Sequence, residues 1–514
     1  MNGAFARVPD LLAQHILLSA AALLLGLAIS LPLTILSARS PAVARVTLGF
    51  ASLVQTIPAL ALLALFYPLL LFVSGLVGGG VPALGFLPSL LALSLYALLP
   101  ILRNGVTGLV NIDPAVIEAA DGVGMTARQK LWLVEAPLVV PVLMAGIRTA
   151  AVWTIGAATL ATTVGQPCLG DLIFAGLQTQ NWTLVIAGCI ASAGLALAVD
   201  AILGLAERGL RARKRGQVWV ALGLLLAGVV IALWPVLPTG NADKRVVIGA
   251  KGFSEQYILA RMIGHRLEDA GYSVTYREGL GSAVVFGALA SGDIDVYVDY
   301  SGTIWTNEMH RTDTPSRPEI VQGVADWAKR EHGIHLIGPL GFENSYGFAM
   351  RGADAKRRGI TSLPDLVPQS GALAFGTDLE FLERPEWAAV KKAYPLHFKS
   401  AQAYAPTFMY RAIESGKADV ISIFSSDGRI AKLGLTVLTD PKHAIPGYDA
   451  ILMVSPERAG DAKFVGAIRP LVNAIPVDAM RRANYMVDRD TGKVSPDAAA
   501  RWLEKQVGLD DSTQ

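Results

Sequence analysis

EAADGVGMTARQKLWLVEAP, running from Glu118 to Pro137, is the stretch whose reading decides the first half of this chain. Ala119 and Ala120 make a helix thin enough to enter a groove. Gly124, with no Cβ, lets the backbone turn closely, and Pro137 marks where the next helix begins. Long apolar runs flank the stretch on both sides, at about 86–103 and 137–163.

The same apolar character continues outward. Hydrophobic residues make up 52% of the chain and charged ones 17%, with mean hydropathy +0.44, too apolar for a single soluble domain. The excess lies between Met1 and Pro238; from Asp243 onward the sequence reads as a soluble α/β domain. A bilayer core needs about 20 apolar residues per helix. Six spans are expected, at about 14–37, 47–73, 86–103, 137–163, 183–205 and 217–236. The first is too long and too weakly basic at its start for a cleaved signal peptide.

Basic residues orient these spans. Arg39 and Arg45 follow the first, Arg103, Arg128 and Lys130 lie between the third and fourth, and Arg208, Arg211, Arg213, Lys214 and Arg215 crowd the connection after the fifth. The alternating loops, about 74–85 and 164–182, hold no Lys or Arg. By the positive-inside rule the basic loops are cytoplasmic, which puts 118–137 inside and everything after the sixth span outside. A net charge of +2 and the scatter of basic residues point away from nucleic acid. Cys168 and Cys189 both fall in the apolar half, so the soluble half has no disulfide framework.

The spacing Glu118-Ala119-Ala120, Gly124, Pro137 resembles the EAA loop of ABC importer permeases, E-A-A-x3-G-x9-I-x-L-P, with Val134 for Ile and Ala136 for Leu. The resemblance implies that about 114–136 is a cytoplasmic helix-turn-helix docking on a separate ATPase. The chain's two Gly-Lys pairs, Gly416-Lys417 and Gly492-Lys493, are followed by Ala418 and Val494, so neither completes a P-loop. ATP is therefore expected on the partner subunit, with no cofactor or metal on this chain.

In the soluble half, 244–249 reads as a strand, Lys251-Gly252-Phe253 as a loop and Ser254 as a helix N-cap. Ile258, Leu259, Met262, Ile263 and Leu267 recur at helical spacing. A second strand, about 273–277, and a third in DIDVYVDY (Asp293–Tyr300) complete strand–helix–strand units. In the third, Asp295, Tyr297 and Asp299 share a polar face. Such units predict parallel, doubly wound sheets whose ligands bind beyond the strands' carboxyl ends, where Ser254, Ser282, Thr303 and Ser426 stand.

Five segments of this half, IGAKGFSEQ (248–256), GDIDVYVDYSGT (292–303), GFENSYGFAM (341–350), FSSDGRI (424–430) and PGYDA (446–450), resemble the extracytoplasmic binding proteins for glycine betaine, choline and carnitine. MAGIRTAAVWTIGAATLATTVG and CLGDLIFAGL resemble the permease of the same transporters. Where that family usually has Asn, Thr, Pro, Glu and Thr, this chain has Gly252, Ser254, Val298, Asp299 and Ser426. The implied architecture is a type I permease of about six helices (1–216), an additional helix and linker (217–243), and a two-lobed, type II periplasmic-binding-protein-like domain (244–510). Lobe one is expected to hold about 244–345 and 450–510. The implied setting is the bacterial inner membrane, as a homodimer with two ATPase subunits.

A trimethylammonium group donates no N–H hydrogen bond, so an aromatic box must hold it by cation–π contacts. Tyr300, Tyr346 and Tyr448 are the first candidates, then Tyr297 and Tyr410; the motifs add Gln256, Thr303, Asn344 and Asp427. Helix N-terminal amides near Ser254 or Ser426 suit a ligand carboxylate. Arg429 fits either that carboxylate or an ion pair between lobes. His332 and His335 read as a solvated helix face, and Asp293, Asp295 and Asp299 as the polar side of a strand rather than a metal site. Ergothioneine, which carries the same two groups, is the rival ligand. A membrane-anchored sensor would not need the EAA-like loop, and a membrane enzyme lacks a nucleophile elbow, since Gly281-Ser282-Ala283 departs from G-x-S-x-G.

Replacing Glu118 by Lys, or Gly124 by a bulky residue, is expected to abolish uptake and ligand-stimulated ATP hydrolysis while external ligand binding survives. Uptake at the parent rate in both variants would remove the coupling role from this loop.

Overall fold

The computed structural model describes residues 8–77, 81–178, 181–234, 244–378, 380–404, 406–489 and 491–509. The chain divides near Gly240 into two compact units. The tether expected between about Leu237 and Lys244 falls largely on 235–243, outside the described residues.

The first unit is helical: α1 (Val8–Arg39), α2 (Pro41–Thr56), α3 (Ala59–Leu76), α4 (Phe86–Val110), α5 (Pro114–Gly122), α6 (Ala136–Ala158), α7 (Trp182–Arg211) and α8 (Arg215–Leu233). Among the described residues, six helical runs are long and apolar enough to cross a bilayer. The expected second span, 47–73, is two helices instead. Pro58 supplies no N–H and drives Ile57 to an extended ψ of 126°, so α2 stops and α3 starts afresh. The carbonyl of Ile57 freed by this break accepts a hydrogen bond from the Tyr96 hydroxyl at 2.8 Å, as a low-dielectric surrounding requires. The loop expected at 164–182 also contains a short helix, Gly170–Gln178.

The EAA-like stretch folds as its residues direct. The Asp113 side chain caps α5, Gly124 turns with φ +77°, and Thr126 with Gln129 forms a capping box. The next helix, however, begins at Ala127 rather than at Pro137. A wider π turn, Leu131–Glu135, precedes α6 and allows the prolyl ring to enter without a break. The Glu135 carboxylate at the end of this turn accepts both 2.9 Å and 2.6 Å hydrogen bonds from Arg39, at the end of α1. In α6, Arg148 grips Asp200 of α7 through two bonds of 2.9 and 2.8 Å, and Glu207 through a third of 2.8 Å.

The second unit holds two five-stranded sheets. Sheet one, in the order β2-β1-β3-β10-β4, uses β1 (Arg245–Lys251), β2 (Ser273–Leu280), β3 (Val296–Tyr300), β4 (His335–Glu343) and β10 (Asp449–Val454). Sheet two, β7-β6-β8-β5-β9, uses β5 (Tyr346–Arg351), β6 (Ala374–Thr377), β7 (Ser400–Ala403), β8 (Val420–Phe424) and β9 (Leu435–Leu438). The chain therefore crosses between lobes at 344–345 and again between 438 and 449, close to the expected points. The sheets are mixed rather than parallel: β10 is antiparallel to β3 and β4, and β5 to β8 and β9. Each of these strands enters its sheet directly from the crossing, and so runs against the others.

The polar face expected on β3 is not solvated. Asp299 is 1% exposed and its carboxylate meets Lys251 Nζ at 2.5 Å, while Asp295 pairs with Arg458 at 2.8 Å. Asp299 thus has a buried partner and Asp295 a half-buried one. Ser254 is not an N-cap either; α9 (Ser254–Asp269) starts at Ser254 itself, and its hydroxyl donates to Asp488 in α10 (Val477–Asp488). His332 is exposed, as expected, with its ring edge-on to Phe286 and Trp327.

A histidine staples α9 to the C-terminal helix α11 (Pro496–Gln506). His265 sits between Glu504 (Nδ1, 2.9 Å) and Asp497 (Nε2, 2.8 Å). Burial alone would lower its imidazole, but the two carboxylates outweigh burial and hold it above its ordinary value. Its contribution to stability is thus complete below the unfolded value of about 6.5 and fades as pH rises through the higher folded value. His265→Gln should lower the calorimetric midpoint of this unit more at about pH 6 than at about pH 9. A midpoint shift independent of pH would show the staple to be neutral.

Candidate ligand-binding site

The carboxyl ends of β1, β2, β3, β6 and β8 converge on one cavity of about 230 Å3. Its wall includes Lys251 and Phe253 after β1, Tyr300 ending β3, Thr303, and Asn344 at the crossing. Sheet two contributes Tyr346, Asp378, Glu380, Arg384 and Phe424, and Tyr448 completes it just before β10. Beta–alpha turns place these side chains where a doubly wound sheet binds its ligands.

Five of the rings form a continuous array. Phe253 lies 6.2 Å from Tyr300 and 6.1 Å from Phe424, Phe424 is 4.9 Å from Tyr346, and Tyr346 meets Tyr448 edge-on at 6.0 Å. Ring faces carry negative potential, so such an array attracts a cation with little hydration.

Charge enters at two points. The Arg384 guanidinium, 8% exposed, lies 5.1 Å from the Tyr346 centroid. It donates to Glu386 at 2.9 Å, to Glu380 at 3.2 Å and to Thr303 at 3.4 Å. Burial works against the Glu386 charge, yet Arg384 holds its carboxyl below the ordinary value, and the Tyr448 hydroxyl donates to the same carboxylate. Burial pushes the Asp378 carboxyl up. On the other wall Lys251 sits 5.5 Å from the Tyr300 ring and is neutralised by Asp299. Glu308, buried near Asp299, is pushed up to about 7. The cavity thus offers ring faces for a cation and a buried guanidinium able to accept an anionic group.

Of the expected residues, Tyr300, Tyr346, Tyr448, Ser282, Thr303 and Asn344 come together in this wall. The others do not. Tyr297 is fully buried with its hydroxyl on Asp299 (2.6 Å), because its strand position points away from the lobe interface. Tyr410 lies beneath the Arg429 guanidinium (4.1 Å) in the core of lobe two. Gln256 donates to Val298 O (3.0 Å) and to the Tyr300 hydroxyl (3.1 Å), and so steadies the cavity wall from behind. Ser254, Asp427 and Arg429 line a separate cavity of about 30 Å3. There Arg429 pairs with Asp427 at 2.6 Å and reaches Asp488 of the other lobe at 3.8 Å, which is the inter-lobe alternative. Phe253, Phe424 and Arg384 were missed. The two phenylalanines stand inside IGAKGFSEQ and FSSDGRI, where counting tyrosines passed over them; Arg384 lies in no recognisable motif.

Residues 244–505 match the family described as substrate binding domain of ABC-type glycine betaine transport system. Residues 30–212 match binding-protein-dependent transport system inner membrane component. The chain is 30% identical over 475 residues, 88% of itself and 82% of the relative, to an ergothioneine transport permease/ergothioneine binding protein of Helicobacter pylori (strain G27). It is 43% identical to a carnitine transport permease protein of Listeria monocytogenes over 38% of its length and 84% of that protein. A solved structure titled glycine betaine/carnitine/choline ABC transporter aligns at 27% identity over 51% of this chain and 99% of that one, with a TM-score of 0.45. A helical permease half followed by a two-lobed receptor half makes this a multi-pass inner-membrane protein with an extracytoplasmic binding domain, and the chain belongs to the ABC importer family in which an osmoprotectant-type permease is fused to its own substrate-binding domain.

Proposed function

We propose that the cavity receives a small quaternary ammonium compound of the glycine betaine, choline and carnitine class, and that this chain imports it with a separate cytoplasmic ATPase docked at Glu118–Pro137. The single observation carrying the reading is the array Tyr300–Phe253–Phe424–Tyr346–Tyr448, which meets a cation from several sides. Arg384 beside it favours ligands that also carry a carboxylate, betaine and carnitine ahead of choline.

A second reading, ergothioneine, has its own support. The relative spanning both halves of this chain is titled for ergothioneine, whereas the carnitine-titled relative matches the permease half, which does not contain this cavity. Both ligands present a trimethylammonium and a carboxylate, so the same rings and the same arginine would serve.

A panel of betaine, choline, carnitine, proline and ergothioneine against the full-length protein in nanodiscs separates these readings. Trimethylammonium compounds should raise the melting midpoint of the external domain and proline should not. Ergothioneine binding far more tightly than carnitine would select the second reading; no shift with any of them would end both. Tyr346→Ala should weaken binding roughly tenfold or more, since a desolvated cation–π contact is worth about 2 kcal/mol. Tyr346→Phe should stay near the parent, because its hydroxyl makes only a 3.5 Å contact with Asp378. Tyr448→Phe should cost more, as it strips a donor from the buried Glu386.

We further infer an assembly of two copies with two ATPase subunits, because one copy has too few helices to enclose a pathway. The mass of the complex purified with its ATPase is expected to fit that stoichiometry; a one-to-one complex would contradict it.

A further inference from the structure

Behind the cavity wall a carboxylate collects donors from lobe one and from the crossing between the lobes. Glu255, on the first turn of α9, is 2% exposed. Its Oε1 accepts from the Tyr300 hydroxyl at 2.7 Å and from Asn344 Nδ2 at 3.0 Å, and its Oε2 from Asn484 Nδ2 at 2.7 Å. These donors have separate origins. Tyr300 ends β3 and presents its ring to the cavity; Asn484 belongs to α10 of lobe one; Asn344 is on the crossing segment between the lobes.

We propose that Glu255 is the hinge carboxylate of the binding domain, a positioning residue that fixes the Tyr300 ring in the cavity wall and holds lobe two closed through Asn344 and through Asn484, whose amide also reaches the Ser426 carbonyl of lobe two. A buried carboxylate is tolerated only when its oxygens are fully hydrogen-bonded. If the lobes parted, the Asn484 amide would be drawn between Glu255 and the Ser426 carbonyl, and the carboxylate would lose a partner that solvent must replace. Closure and ring placement are thereby tied to one group. Asn484 reinforces the link, since the same amide nitrogen that serves Glu255 also donates to the Ser426 carbonyl at 3.0 Å. The neighbouring Ser254–Asp488–Arg429–Asp427 chain spans the same gap, so Glu255 works beside a second bridge rather than alone.

This proposal rests on the aromatic cavity as the ligand site, and the experiment separates the two. In the full-length chain with Cys189→Ser, spin labels at Arg330→Cys and Arg357→Cys, both on exposed side chains in different lobes, report the inter-lobe distance. Carnitine and ergothioneine serve as probes. Glu255→Gln and Asn484→Ala should each shift the ligand-free distance distribution relative to the parent, which a purely structural loss of stability would not do. Each should weaken probe binding about tenfold, the scale of one hydrogen bond to a charged group. The double variant should be no weaker than Glu255→Gln alone, because both remove the same link. Unchanged ligand-free distances in both variants, or strictly additive losses of affinity, would overturn the proposal. If the parent binds neither probe, the ligand reading fails, and the ligand-free distances still decide the hinge.

Discussion

A buried arginine sets the terms for the ligand-binding half. Arg384 keeps its charge at 8% exposure only because Glu386, Glu380, Thr303 and the face of Tyr346 surround it. An unpaired guanidinium at that depth would cost far more than the fold's net stability allows. Its partners are drawn from both lobes, since Thr303 follows β3 and Glu386 belongs to lobe two. The need to neutralise one cation thus brings the aromatic walls to the same place. Tyr448 follows from the same constraint, because its hydroxyl completes the Glu386 carboxylate while its ring closes the cavity.

The membrane half obeys a different constraint with similar consequences. Where prolines interrupt its helices, a nearby group takes up what the backbone loses: the Tyr96 hydroxyl at Ile57, and the π turn before Pro137. The π turn ends at Glu135, whose carboxylate is held by Arg39. The stretch expected to meet the ATPase is therefore connected by an ion pair to the end of α1 as well as by the chain to α6. Arg148, bound to Asp200 and Glu207, does the same between α6 and α7. Charged side chains are costly near a bilayer and persist where partners satisfy them.

Much of the candidate cavity was legible because motif residues lie at strand ends, and strand ends converge in a doubly wound sheet. Tyr300, Tyr346, Tyr448, Thr303 and Asn344 were recoverable in this way. Tyr297 and Tyr410 were not separable from them, since a tyrosine in a motif is equally able to fill a core. Only the side to which its strand or helix turns it decides. Arg384 was invisible because nothing local marks a charge that will be buried by distant partners. The third strand shows the same limit: Asp295 and Asp299 were legible as the polar side of a strand, but not their partners, since Arg458 and Lys251 come from elsewhere in the chain to meet them.

The amino-acid sequence by itself determined the properties that depend on neighbours along the chain. Apolar runs, basic loops, the Glu118–Pro137 spacing and strand–helix periodicity are local, and they sufficed for a permease half, its orientation and an α/β receptor half. Tertiary structure alone decided what depends on residues far apart: the antiparallel entry of β5 and β10, the pairing of Arg384 with lobe-one groups, and the meeting of three donors at Glu255. The physical reason is that hydrophobic periodicity acts over a few residues, while a buried charge or polar group is satisfied by whichever partner the completed fold brings within about 3 Å.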